Sequence, residues 1–160
     1  MLLTIWRHGE AAPGRPDRER RLTDRGHADL RRGAAAFAPA LQERGLALPD
    51  GLHASRWVRT WQTAGYLAEA LGLQALEEEA LIPGAEPEDV EACLARLPVA
   101  AHRVLVSHQP LVSALVDLWL GEPGRVPALS PGAYAVLEAE VFAPGCASLC
   151  FWAAPPDYGL

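Results

Sequence analysis

The sequence predicts an α/β fold: a single three-layer α/β/α domain over residues 1–160, with a mainly parallel sheet and a C-terminal antiparallel hairpin. Three observations carry this. Short apolar runs alternate with stretches whose apolar residues recur at helical spacing, the pattern of a parallel sheet covered by helices. Three of the runs end on polar residues of one kind: Arg7-His8, Ser107-His108, and Ser55 followed by Arg56 and Arg59. Two last apolar stretches, 133–142 and 147–153, flank Pro144-Gly145 and read as a hairpin. Ligands of open α/β sheets bind outside the carboxyl ends of the parallel strands. The three polar strand ends therefore predict one basic pocket.

Taken in order, residues 2–6 form a buried strand. The Pro-, Gly- and Arg-rich stretch 12–21 forms a loop. Thr23 caps a first helix, with Asp24 well placed for the helix dipole. Leu30, Ala34, Phe37 and Leu41 form its apolar stripe, and Arg44-Gly45 ends it. Pro39 is expected to kink or split this helix. Residues 52–54 form a short strand, and Ser55 is expected to cap a helix that Gly72 closes. Residues 75–82 fit either strand or loop. Pro87 suits the first turn of a helix to about residue 97. Residues 103–107 form a strand, and Pro110 opens a helix to about residue 120. The Asp157-Tyr158 tail is expected to be loosely ordered.

The bulk numbers exclude several classes. A formal charge of −6 argues against general nucleic-acid binding, which needs a broad basic face. All 14 basic residues are arginine, so no lysine serves as a Schiff base or P-loop cation. No apolar run reaches membrane-spanning length. The short N-terminal apolar run lacks a basic flank, so no cleaved signal peptide is expected. The cysteine count is odd. If Cys146 and Cys150 share one strand they lie about 13 Å apart, too far to bridge. Free thiols in a reducing cytoplasm are the simpler reading. No metal-site spacing and no cofactor motif is present, so neither a metal nor an organic cofactor is implied.

A pocket with two imidazoles and several arginines suits a phosphoryl group. Arginine forks hold its oxygens without losing charge, and a neutral imidazole can attack phosphorus. The residues also resemble a known family, the histidine phosphatase superfamily, also called phosphoglycerate-mutase-like. Arg7-His8-Gly9-Glu10 matches its RHGE signature, and Leu22-Thr23-Asp24-Arg25-Gly26 matches its L-T-x-x-G. Ser55 to Ala64 fits S-P-L-x-R-A-x-Q-T-A, with Arg56 in place of the proline. Residues 104–108 fit the strand that bears the family's second histidine. The short interval between Arg59 and His108 is similar to that of the small SixA-type phosphohistidine phosphatases.

The resemblance implies that His8 is the nucleophile and becomes a phosphohistidine. It implies that Arg7, Arg59 and His108 hold the phosphoryl oxygens. Phosphoryl transfer needs little beyond in-line positioning and charge stabilisation, which these side chains supply. His8 must present a neutral nitrogen, His108 donates best when protonated, and Gly9 is expected to let the backbone approach the substrate. Glu10 is read as an orienting group, and Gln62 and Thr63 as orienting the helix or packing beneath the site. Arg56 is read as rim or surface. Trp57 and Trp61 are read as a core or rim stripe, and His27, His53 and His102 as structural.

Where the family's L-x-E places a general acid, this chain has Leu81-Ile82-Pro83. An alkoxide leaving group needs a proton donor, whereas a phosphorylated imidazole leaves far more readily. The first expectation is therefore removal of phosphate from phosphohistidine in a protein. A general small-molecule phosphomonoesterase is the alternative, with Glu79 or Glu86 replacing the acid. A non-catalytic phosphoprotein-binding module is the third reading. The partner is thus a phosphorylated protein or a small phosphorylated substrate, with no nucleic acid and no membrane. The arginines at 15, 18, 20 and 21 are a solvated loop or a rim that steers an acidic phosphoprotein inward.

Overall fold

A computed structural model describes residues 1–159. Its centre is a six-stranded sheet. The strands are β1 (Leu2–Arg7), β2 (Gly51–Ala54), β3 (Ala75–Glu77), β4 (His102–Ser107), β5 (Tyr134–Glu138) and β6 (Ser148–Ala153). They lie in the order β3-β2-β4-β1-β5-β6. The first four are parallel neighbours, and β5 pairs antiparallel with both β1 and β6. The predicted mainly parallel sheet with an antiparallel end is thus present. The stretch 75–82 divides into β3 and a 3-10 turn at Glu79–Leu81.

Strand alternation builds both cores. Leu3 and Ile5 of β1 join Leu105 of β4 on one face. That face is covered by α3 (Pro87–Arg96) and α4 (Leu111–Leu120). Leu2 and Trp6 join Val104 and Val106 on the other face, beneath α1 (Asp24–Glu43) and α2 (Val58–Leu71). Central strands covered on both faces are buried almost throughout, and β1 and β4 are. His102 shows how a buried polar side chain is accommodated there. The Nδ1–H of His102 donates to the Ala47 carbonyl at 2.7 Å, which leaves its Nε2 to accept from the Thr4 hydroxyl at 2.7 Å.

Four expectations need correction. Pro39 does not split α1, which runs unbroken over 20 residues. Pro39 and Ala35 lie on the exposed side, where a carbonyl deprived of its helical donor meets water. The strand expected over 133–142 stops at Glu138, and Phe142 folds inward against Trp119, with ring centroids 5.2 Å apart. Cys146 and Cys150 share no strand, since Cys146 precedes β6; all three cysteines are free. The tail is docked: Tyr158 is 6% exposed and its hydroxyl donates to the Gly132 carbonyl at 2.9 Å.

Tyr158 extends an aromatic cluster with Trp6 and Tyr134, where each ring pair adds about 0.5–1.5 kcal/mol beyond its buried area. Its ring sits directly over Gly33 of α1, where an added Cβ would come within 2.4 Å of it. Helix propensity alone makes Gly33→Ala stabilising by about 1 kcal/mol. Overpacking costs about 1–3 kcal/mol, and we expect it to win. Urea unfolding should show Gly33→Ala destabilised; a stabilised variant would mean that the tail is not docked there.

Candidate active site

The register of the sheet assembles the site. Arg7, the last residue of β1, pairs with Ser107, the last of β4. Ala54, the last of β2, pairs with Val106. Ladder hydrogen bonds continue one step further: the His8 N–H donates to the Ser107 carbonyl and the Ser55 N–H to the Val106 carbonyl, both at 3.1 Å. Three adjacent strands thus end at one level, and the chain leaves them through His8, His108 and Ser55. The His8 and His108 rings lie 5.3 Å apart, centroid to centroid. Arg59, from the first turn of α2, donates its Nε–H to His8 Nε2 at 3.2 Å.

His8 has a defined tautomer. Its Nδ1 lies 2.7 Å from the Gly9 carbonyl, which can only accept, so Nδ1 carries the proton. The lone pair is then on Nε2, where Arg59 meets it. Burial is the main cause that lowers the His8 pKa to about 4, and Arg59, Arg7 and Arg20 add to it against the raising effect of the Gly9 carbonyl. Burial likewise lowers His108 to about 3, with His8 and Arg59 next in size. Both imidazoles are therefore neutral at pH 7 in the ligand-free site, so the protonated His108 of the sequence expectation is absent from that state.

Arg7 Nη1 donates to the Leu129 carbonyl at 2.9 Å, which ties the loop after α4 to the site. Arg7 Nε and His108 Nδ1 are buried without a protein partner. Such atoms are costly unless something satisfies them, and a bound oxyanion is a suitable partner for Arg7.

The supporting residues explain the sequence motifs. Thr63 accepts the Gly9 N–H at 3.1 Å and donates to the Arg59 carbonyl at 2.8 Å, linking the turn after β1 to α2. Gln62 accepts the Leu22 N–H at 2.9 Å. Thr23 caps α1 at Gly26 and donates to the Glu10 carboxylate at 2.9 Å. Gly26 has no alternative, since a Cβ there would stand 2.3 Å from the Glu10 carbonyl oxygen. These contacts tie the loop and turn after β1 to α1 and α2.

Other expectations change. Gly9 lacks a side chain because Leu30 fills that space, at 2.7 Å from an added Cβ. Its N–H is engaged by Thr63 at 3.1 Å. Ser55 does not cap α2, which starts at Val58 without a side-chain cap. Its hydroxyl accepts the Trp57 N–H just before the helix at 3.3 Å and shares a 2.9 Å hydrogen bond with His108 Nε2. Trp57 is part of the site: its ring packs edge-on to His108 at 5.4 Å and lies 5.0 Å from the Arg59 guanidinium. Trp61 is exposed. Arg56 lies at the rim, as expected, paired with Glu79 at 2.7 Å. His53, His102 and His27 bond Arg103, Thr4 and Tyr66 away from the site.

Asp17 is the residue that sequence reasoning missed. The Arg-rich loop folds over the site through a 3-10 turn at Asp17–Glu19. Arg59 Nη1 donates to the Asp17 carbonyl at 2.8 Å, and its Nη2 lies 3.4 Å from the Asp17 carboxylate. Nothing local marks this residue, because its partner belongs to a different element.

Two histidines and Arg7 at parallel strand ends, with Arg59 from the first turn of α2, form a basic pocket suited to an oxyanion. Residues 3–82 match the family model of the histidine phosphatase superfamily (branch 1). The chain belongs to that superfamily and is a phosphatase. The tungstate complex of the protein histidine phosphatase SixA is 25% identical, with a TM-score of 0.77 over 97% of both chains. A putative phosphohistidine phosphatase SixA from Agrobacterium tumefaciens is 23% identical, with a TM-score of 0.79 over 96% of this chain and 97% of that one. A mycobacterial glucosyl-3-phosphoglycerate phosphatase is 19% identical, with a TM-score of 0.66 over 96% and 98%. No curated protein matches the chain by sequence. No helix among the described residues is long and apolar enough to cross a membrane.

The lowered histidines have a consequence for stability. Unfolded, both rings take up a proton near pH 6.5; folded, they do so only near pH 4 and pH 3. Between these values the unfolded chain binds more protons, so their contribution is full above pH 6.5 and is lost as pH falls toward 4. Urea midpoints should fall steadily from pH 7 to pH 4.5, and His108→Asn should flatten the fall. A midpoint that is level over this range would contradict the burial of neutral imidazoles.

Proposed function

We propose that this phosphatase removes phosphate from phosphohistidine in a protein, through a covalent intermediate on His8. The observation that carries the substrate reading is that, among the described residues, no carboxylic side chain is hydrogen-bonded to His8 or His108. The position where the family has its glutamate holds Leu81-Ile82-Pro83. Glu79 is exposed and paired with Arg56. Glu86 sits at the N-terminus of α3, its N–H bonded to the Asp89 carboxylate at 2.8 Å. The likeness to the SixA structures supports the same reading.

In the proposed reaction, substrate displaces the Arg59 N–H from His8 Nε2, and the freed lone pair attacks phosphorus. The bond from phosphorus to the leaving nitrogen breaks, its electron pair stays on the departing imidazole, and solvent supplies any proton required. Arg7, Arg59 and His108 hold the equatorial oxygens, where the charge of a loose transition state is spread. A bound dianion would favour a protonated His108, opposing the burial that keeps it neutral in the free site. Water then attacks the phosphohistidine, releases inorganic phosphate and returns the electron pair to Nε2. Neither a metal nor a cofactor is needed for these steps. Three free thiols suit a reducing compartment, so we place the protein in the cytoplasm.

Three substrates separate the readings: p-nitrophenyl phosphate, an alkyl phosphate and a histidine-phosphorylated protein. Wild type should hydrolyse the aryl phosphate and the phosphohistidine but barely the alkyl ester. His8→Ala should lose at least about a thousand-fold on both good substrates. Glu79→Ala should change these rates by no more than about two-fold, as an exposed ion pair contributes little. Brisk alkyl turnover that collapses in Glu79→Ala would instead establish the small-molecule phosphomonoesterase.

A further inference from the structure

Each guanidinium nitrogen of Arg59 has a partner, and these partners differ in how firmly they hold. Nε meets His8 and Nη1 meets the Asp17 backbone carbonyl. Nη2 faces the Asp17 carboxylate at 3.4 Å. The other oxygen of that carboxylate accepts from Arg20 Nη1 at 2.9 Å. Arg20 is itself anchored, its Nε–H donating to the Ala12 carbonyl at 2.8 Å. One carboxylate thus bridges two arginines with one oxygen on each, as two oxygens of a phosphoryl group would.

We propose that Asp17 is an affinity-setting residue: its carboxylate stands on Arg59 as a placeholder for the phosphoryl group and keeps the pocket from holding free phosphate tightly. This rests on the assignment of Arg59 to the phosphoryl oxygens. Among the described residues, Asp17 is the only carboxylate in ion-pair contact with Arg7 or Arg59. The Asp17 side chain is 54% exposed against 6% for Arg59, so Asp17 is the partner free to move. Its bonds to Arg20 and Arg59 hold the carboxyl below its usual range, so it is an anion at neutral pH and not a proton donor.

With its carboxylate half exposed and 3.4 Å from Arg59, the pair is weakly held, and an incoming dianion can displace it. Even displaced, the carboxylate remains tethered near the bound phosphate through its own backbone and repels it. Weaker ground-state binding does not slow the chemical step, and it lets product leave.

The test is calorimetric titration of wild type and Asp17→Asn with inorganic phosphate, with KM and kcat measured on p-nitrophenyl phosphate. The variant keeps the backbone carbonyl on Arg59 and the size of the side chain. Phosphate should bind about 3- to 10-fold more tightly to Asp17→Asn, with KM falling by a similar factor and kcat not rising. If Asp17 serves only to order the loop, both constants move the other way, and equal or weaker phosphate binding overturns the proposal. Should wild type and Asp17→Asn both fail to bind phosphate while still hydrolysing substrate, Arg59 is not a phosphate ligand and the assignment beneath the proposal falls too.

Discussion

The parallel pairing of β1 with β4 is the constraint on which the site depends. With Arg7 opposite Ser107, the two chains leave the sheet side by side. A slip of one residue would turn Leu3 and Ile5 out of one core and Leu2 and Trp6 out of the other. The hydrophobic alternation that closes the two cores therefore also sets the spacing of His8 and His108. β2 adds Ser55 at the same level, and α2 returns Arg59 to His8.

Burial then decides the chemistry available. His8 and His108 are nearly inaccessible and stand among arginines, so both lose their protons at neutral pH. For His8 that is what attack on phosphorus requires, and the Gly9 carbonyl selects the nitrogen that keeps the lone pair. The arginines cannot shed their charge in this way. Their repulsion is eased in the free protein by the loop carboxylate of Asp17 and by carbonyls such as that of Leu129. Part of the cost of a basic pocket is thus carried by groups that a ligand can replace.

Much of this was legible in the sequence, for local reasons. Short apolar runs and helical spacing mark the sheet and helices, and the polar strand ends mark the site. Thr23 and Gly26 act within one helical turn and against the adjacent strand exit, so their motif could be read directly. The misreadings share a non-local cause. A serine ahead of a helix ordinarily reads as its cap, but the Ser55 hydroxyl is taken by His108 from another strand. Tyr158 looked like a free tail because its sockets, Gly33 and Gly132, lie in distant segments. Asp17 carries no local mark, because its partner Arg59 lies 42 residues away in α2. The packing of Leu30 against the bare Cα of Gly9 is non-local in the same way.

The central claim is that His8 Nε2 accepts the phosphoryl group. Rapid alkaline quench of the enzyme turning over a 32P-labelled substrate, followed by peptide mapping, tests it most directly. The account predicts label that is stable to alkali and labile to acid, confined to the peptide carrying His8 and absent from His8→Ala. Turnover with no labelled enzyme at any quench time, or label on a peptide without His8, would contradict it.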